Sequence, residues 1–286
     1  NDANEHAVAL IKKNAELNGV ETEVFNEDAN HFLSKRKFDF IDIDPFGTPV
    51  PFLDNSVLAA SDDGYLGITA TDTAPLCGVY PKACFRKYGA KPLRSEFCHE
   101  TGLRILLGYA ARTAAKYERG IACLLGHSTE HYFRLYVKLS PGKRSANASL
   151  SEMGYVYYCR TCLNREYRKE MLPKTRVCSC GNTYEIAGPL WLGKIKDTAV
   201  LKNVLKESLY LENKSTEKLL TMILEEIDAP FYYDVHKACK LLKVDSPAMG
   251  SVIDNLSGCG YAVSRTHFCP TGIKTDKPLE LPLIFR

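Results

Sequence analysis

The sequence predicts an α/β protein: a parallel sheet covered by helices and closed by an antiparallel hairpin strand, followed by a cysteine-bearing insert and a helical C-terminal unit. Three observations carry this. Between residues 22 and 71 short alternating or β-branched runs take turns with helical stretches, the pattern of a parallel sheet with both faces covered. Residues 121–127 and 132–138 read as strands joined by a few polar residues, and a connection that short can only be antiparallel. Residues 155–186 are dominated by Cys, Tyr and charges, and from residue 197 onward the text is mostly helical.

In chain order, Ala7, Leu10, Ile11 and Leu17, with Val8 and Ala15 beside them, recur at helical spacing and Asn18-Gly19 supplies a stop, which predicts a helix over 5–18. A short strand over 22–26, a helix over 29–36 and a buried strand over 38–44 ending in Asp-Pro should follow. A helix over 51–60 has Pro near its start, and 64–71 is the next strand. Residues 73–91, rich in Gly, Pro and basic residues, are expected as a loop before a long helix over 93–117. After the hairpin, 140–147 reads as a polar, basic linker. Helices are expected over 200–212, 215–227, 233–242 and 247–257, the last with Ser246 as its N-cap. A strand over 261–268 and a Pro270-Thr271-Gly272 turn complete a two-stranded ribbon, so the C-terminal unit is expected to be an α+β, winged-helix-like domain. The expected units are 1–140, 141–196 and 197–286.

Composition narrows the function classes. Of 286 residues, 45% are hydrophobic and 25% charged, which excludes a disordered, collagenous or coiled-coil chain, and no apolar run is long enough for a membrane span. No membrane partner is expected. The net charge of +3 is compatible with a nucleic-acid partner without demanding one. Eleven cysteines is an odd number, and Cys98, Cys123 and Cys239 sit singly in apolar patterns as small hydrophobes, which points to a reducing cytoplasm rather than a disulfide scaffold. The start has no signal-peptide pattern and no Met, so residue 1 is read as a cut through a longer protein.

The sharpest local feature is Asp42-Ile43-Asp44-Pro45-Phe46-Gly47 at the C-terminal end of a predicted strand, where open α/β sheets bind ligands. Residues 44–47 resemble the Asp-Pro-Pro-Tyr type motif of amino methyltransferases, with Phe for Tyr and one Pro lost, and the order of strands and helices is that of a Rossmann-like methyltransferase. An exocyclic amine conjugated to a base ring is a poor nucleophile and needs acceptors that develop its lone pair and a surface that positions it. Asp44 offers a carboxylate, the Pro45 carbonyl a second acceptor, and Phe46 a flat face. Asp2 and Asp28 follow two other strand positions and precede helices. Asp2 is placed to take ribose hydroxyls, and Asp28 with Ala29 to contact an adenine amine, although each aspartate taken alone reads as a helix N-cap.

Cys159 and Cys162, then 15 residues, then Cys178 and Cys180, resemble a zinc ribbon. Four thiolates in two close pairs suit tetrahedral Zn(2+) in a structural role, since they leave no position for water. Cys98, His99 and Glu100 are neighbours on a helix, where adjacent side chains point about 100° apart, so they are expected not to meet.

The runs DIDPFGTPVPFLD, GITATDTAPLCGVYPKACFRKYGAKPLRSEFCHETGLRIL, EHYFRLYVKL and SRTHFCPTGIKTDKP together resemble the tRNA (guanine-26-N2)-dimethyltransferase family along nearly the whole chain. The resemblance implies a Rossmann-like class I methyltransferase domain, here without its first strand and the glycine-bearing loop after it. It implies S-adenosyl-L-methionine as methyl donor, tRNA as substrate, and one or two methyl transfers to the N2 amine of a guanine. It makes Asp44 the acceptor of the amine's hydrogens and Phe46 its stacking partner, and Asp2, Asp28 and Ala29 donor contacts. Arg86, Lys87 and Arg94, by clustering, and Arg265, His267 and Lys274, in the ribbon, are expected phosphate or RNA contacts. Two alternatives stand beside this reading: an amino methyltransferase acting on rRNA or DNA, and a non-catalytic nucleic-acid-binding protein carrying a methyltransferase remnant.

Overall fold

The computed structural model describes residues 1–285. The first unit contains α1 (Glu5–Leu17), α2 (Ala29–Ser34), β1 (Phe38–Ile43), α3 (Val50–Ala59), β2 (Ala60–Ala70), α4 (Thr73–Leu76), α5 (Pro81–Tyr88), α6 (Cys98–Lys116), β3 (Arg119–Thr129), β4 (Tyr132–Pro141) and α7 (Lys143–Leu150). Its sheet has the order β1-β2-β4-β3. β1 and β2 are parallel, while β4 runs antiparallel to both β2 and β3. The hairpin is therefore as expected, but a single parallel pair stands where a parallel sheet was predicted.

α6 supplies the core of this unit. Leu103, Ile105, Leu106, Leu107, Ala111 and Ala114 are fully buried, because the helix lies between the sheet on one side and a second sheet on the other. Burying a Leu or Ile side chain is worth about 1.5–3 kcal/mol each. Helices do not cover both faces of β1 and β2: Phe40 and Tyr65 are exposed there.

Three local expectations are corrected. Residues 22–26 join no ladder; one backbone bond, from Asp2 N to Phe25 O at 3.2 Å, holds them, too little for a strand. The predicted loop at 73–91 contains α4 and α5. Pro81 starts α5, its missing N–H costing nothing at a first turn, and the Gly89 N–H closes it on Phe85 O. The linker at 140–147 is the end of β4 and the start of α7, held to β3 by Ser149, whose Oγ accepts from Ile121 N at 2.8 Å and donates to Ile121 O at 3.1 Å.

The second unit is a three-stranded antiparallel sheet, order β6-β5-β7, from β5 (Met153–Tyr158), β6 (Arg165–Arg168) and β7 (Glu185–Trp191). The chain then forms α8 (Thr198–Ser208), α9 (Lys214–Glu225), β8 (Tyr233–Asp234), α10 (Val235–Leu242), α11 (Met249–Gly258), β9 (Val263–Thr266) and β10 (Cys269–Thr275), with the sheet order β8-β10-β9. α8 and α9 bury Leu201, Leu220 and Ile223 against Leu125 of β3, whereas α10, α11 and the last sheet share their own core around Val235, Val252, Leu256 and Ile273. The buried Lys196 ammonium donates to Ile223 O at 2.7 Å and Leu224 O at 3.2 Å, and also to Glu226 O, satisfying carbonyls that the end of α9 leaves open.

Two caps and turns differ from expectation. α11 starts after Ala248, without a side-chain cap, so Ser246 does not cap it. Residues 270–272 lie inside β10, where the register shifts between Cys269 and Ile273, and the turn falls at His267-Phe268. No described helix is long and apolar enough to cross a membrane.

Candidate active site

The chain leaves β1 at Ile43. Ile41 and Ile43 point into the core, so alternation turns Asp42 and Asp44 outward at the C-terminal end of the strand. The turn that follows is pinned to the end of β2: Gly47 N donates to Thr71 Oγ1 at 2.7 Å and Thr71 N to Gly47 O at 2.9 Å. Gly47 has φ +100, which a side chain would strain. Thr48 Oγ1 donates to Tyr88 Oη at 2.8 Å, and Tyr88 Oη to Asp72 Oδ1 at 2.6 Å, extending the brace into α5. On this fixed turn Phe46 is fully exposed.

A cavity of about 310 Å³ opens beside the turn, lined by Asn1, Ala29, Phe32, Leu33, Asp42, Asp44, Pro45 and Phe52 among others. A second, of about 320 Å³, is lined by Asp42, Asp44, Thr69, Thr71, His127, Tyr132, Arg134 and Tyr136. Asp42 and Asp44 belong to both. Arg134 Nη1 lies 2.7 Å from Asp42 Oδ1 and donates to Thr69 Oγ1 at 2.6 Å. Gly67, opposite Asp42 in the β1–β2 register, makes room for this pair: a Cβ there would stand 2.6 Å from Asp42 Oδ1 and 2.8 Å from Arg134 Nη2. Burial, reinforced by the charges of His267 and Arg134, pushes the His127 imidazole down to about 4, so it is neutral at physiological pH.

The aspartates assigned to donor contacts lie at the N-terminal side of this region. Asp28 Oδ1 accepts from Asn30 N at 3.0 Å and His31 N at 3.1 Å as the N-cap of α2, placing Ala29 on the first cavity. Asp2 Oδ1 accepts from Asn4 N at 2.7 Å. Neither carboxylate lines the cavity, whereas Phe32, Leu33 and Phe52, which sequence reading did not single out, do. Their only signal was their spacing around Asp28 and after Asp44.

Of the expected RNA contacts, Arg86 and Arg94 are exposed, and Lys87 is half-buried with its ammonium 2.9 Å from Asp72 Oδ2. Arg265 is exposed and donates to Pro270 O at 2.6 Å. Lys274 and His267 are not surface contacts. Lys274 Nζ lies 2.7 Å from Glu226 Oε1 and 3.1 Å from Glu100 Oε1, and His267 Nδ1 lies 2.7 Å from Glu226 Oε2, with all four side chains closed to water. Lys274 stands on β10, the central strand of its sheet, and reaches Glu100 of α6, while His267 sits in the turn before β10; with water excluded, both meet carboxylates rather than phosphate.

Cys98 and His99 also depart from expectation. The Sγ atoms of Cys77 and Cys98 and a His99 ring nitrogen lie within 4.8 Å of one another. At the first turn of α6 no preceding turn separates the side chains, and both reach Cys77, while Glu100 turns inward to Arg104, 2.9 Å away.

In the second unit, Cys159, Cys162, Cys178 and Cys180 bring four Sγ atoms within 4.8 Å of one another, with Cys159 to Cys180 at 3.5 Å and Cys162 to Cys178 at 3.4 Å. A tetrahedron with bonds of about 2.3 Å has edges of about 3.8 Å, so the four sulfurs fit a zinc ion. Burial raises the Cys178 thiol, but the Cys180 N–H and the Tyr184, Cys162 and Asn164 side chains outweigh it and bring it down to about 6, favouring the thiolate a metal needs.

Residues 1–283 match the family model described as N2,N2-dimethylguanosine tRNA methyltransferase. Similar proteins include the tRNA (guanine(26)-N(2))-dimethyltransferase of Methanothermobacter thermautotrophicus, 44% identical across 96% of this chain and 74% of that protein. The protein of the same name from Pyrococcus furiosus is 44% identical across 98% of this chain and 77% of its own length. The solved structure of Trm1 from Pyrococcus horikoshii with S-adenosyl-L-methionine is similar with a TM-score of 0.89 at 40% identity, covering 98% of this chain and 78% of that one.

Proposed function

The chain belongs to the N2,N2-dimethylguanosine tRNA methyltransferase family, and from that membership we propose how its residues act. It is an enzyme that methylates the N2 amine of guanine 26 in tRNA, with S-adenosyl-L-methionine as donor. The donor supplies an electrophilic methyl group on a sulfonium. The first cavity receives the donor, with Ala29, Phe32 and Leu33 against its adenine, and Asp2 and Asp28, which stand outside the cavity lining, are read as contacts to the donor's polar groups. The target guanine leaves its stack to reach the turn at residues 44–46, because an amine inside a paired helix is not presented to an enzyme. Asp44 and the Pro45 carbonyl accept the amine's hydrogens and direct its lone pair. Phe46 lays its ring on the base, and Asp44 receives the displaced proton. The observation that carries this is the outward pair Asp44 and Phe46 on a turn fixed at both ends beside a cavity.

The first unit is read as the Rossmann-like domain, 1–140. The insert, 141–196, is read as a zinc ribbon held by Cys159, Cys162, Cys178 and Cys180. The last unit, 197–286, is read as a winged-helix-like tRNA-binding domain, supported by α10, α11 and the ribbon of β9 and β10. Arg86, Lys87, Arg94 and Arg265 meet phosphates. None of the eleven cysteines is joined in a disulfide, which fits work in the cytoplasm.

Asp44→Ala tests the mechanism through methyl transfer from labelled donor to tRNA. Loss of a positioned acceptor should lower kcat by about 10²–10⁴-fold and leave tRNA affinity nearly unchanged. Retained turnover with weakened tRNA binding would remove Asp44 from this role.

A further inference from the structure

We propose that Arg134 reads the C6 carbonyl of the target guanine from the second cavity and so selects guanine over adenine. The proposal rests on Asp44 being the acceptor of the amine. Guanine presents, along one edge, the 2-amine, the N1–H and then O6, two donors followed by an acceptor. A carboxylate holding the amine therefore leaves O6 calling for a donor further along the same wall. Arg134 is the cation that shares this cavity with Asp44.

Its guanidinium is held for such a task. The bonds to Asp42 and to Thr69 both use Nη1, and the guanidinium stands 4.6 Å over the Tyr136 ring, so the plane of the fork is set before substrate arrives. His127, on the same cavity, stays neutral and adds no competing cation. Adenine would set its 6-amine against the same N–H groups, two donors facing each other, and lacks the 2-amine for Asp44.

A purely structural duty explains the arrangement less well. Arg134 is 12% exposed but Asp42 is 48% exposed, and an ion pair whose carboxylate is open to water contributes about 0–1 kcal/mol. The strands it would hold are already joined around this pair, β1 to β2 in unbroken register from Phe40 to Ile43 and β2 to β4 from Tyr65 to Ala70. The glycine at 67 keeps open the space the pair fills.

The test uses the whole chain and two tRNAs that differ only at residue 26, guanosine in one and 2-aminopurine in the other. 2-Aminopurine keeps the 2-amine and lacks both O6 and the N1–H. Wild type should lose kcat/KM on the 2-aminopurine substrate. On the guanosine tRNA, Arg134→Met should lose about 10- to 100-fold in kcat/KM, the range of a hydrogen bond to a charged group. On the 2-aminopurine tRNA it should lose little beyond wild type, because the partner of the deleted donor is already gone. Arg134→Lys, which keeps a cation and one donor direction, should recover part of the guanosine activity and guards against loss of fold in the methionine variant. Equal losses on both substrates would make Arg134 a structural residue and overturn the proposal, as would a wild type that treats the two tRNAs alike. A wild type that does not methylate guanosine 26 would instead fail the reading on which the proposal rests.

Discussion

Glu96 and Arg165 form an ion pair 2.7 Å long, from Arg165 Nη2 to Glu96 Oε1, with both side chains almost closed to water. Glu96 precedes α6, Arg165 begins β6, and Lys237 of α10 joins them at 2.7 Å, so one carboxylate ties three units together. Tyr158 Oη donates to the same carboxylate at 2.7 Å, and Tyr232 Oη donates to Glu96 O at 2.5 Å. Burial would raise the Glu96 carboxyl, but Arg165, Lys237 and Tyr158 outweigh it and hold it below its ordinary value. Sequence reading did not single out either residue, since nothing within a few positions marks them as partners.

Glu96→Gln should therefore destabilise the chain by about 3–5 kcal/mol, the cost of leaving a buried guanidinium without its counter-charge. Urea unfolding measures this as a lower midpoint at an unchanged slope. A shift below about 1 kcal/mol, the range of an exposed ion pair, would show that the junction is wet and weak.

Acid should weaken the fold in two separable steps. The folded chain keeps His127 neutral down to about pH 4, whereas an unfolded imidazole titrates near 6.5, so between these values the unfolded state binds a proton that the folded state refuses. Stability then falls as pH drops through that window, by up to about 3 kcal/mol. Burial alone would raise Glu226, but Lys274 and His267 hold it well below the carboxylate range, so its contribution is lost only as pH falls below about 4.5. His127→Gln should flatten the upper part of the curve and leave the lower part, as followed by denaturant unfolding at a series of pH values. An unchanged slope between pH 4.5 and 6.5 would place the acid sensitivity elsewhere.

The purified chain should carry one zinc per molecule, measured by elemental analysis. Cys162→Ser should lower that content and loosen the sheet of β5, β6 and β7, seen as faster amide exchange at Tyr157 and Tyr184, which pack with the cysteines. Metal-free protein with unchanged exchange would make the four thiols an ordinary reduced cluster.

Periodicity located α1, β1, α3, β2, α6 and the β3–β4 hairpin, because each is stated by a repeat within one segment. The Asp-Pro-Phe-Gly turn and the four clustered cysteines were visible for the same reason: their chemistry is concentrated in a few neighbouring positions. α4, α5 and α7 were not, since helices of 4 to 8 residues carry too few turns to show a period and depend on packing against α6 or β3.

Amino-acid order by itself determined the family, the hairpin, and the turn that presents Asp44 and Phe46. Tertiary structure alone decided which charges meet. Lys274 and His267 look like surface cations in the sequence, yet the central position of β10 turns Lys274 onto Glu226 and onto Glu100, 174 positions away, and the turn before β10 sets His267 on Glu226. Asp42 and Arg134 stand on strands that only the β1-β2-β4 order brings within 2.7 Å. The physical reason is one of range: backbone propensity and motif spacing act over a turn or a strand, whereas a buried ion pair exists only when folding has removed water from both partners at once.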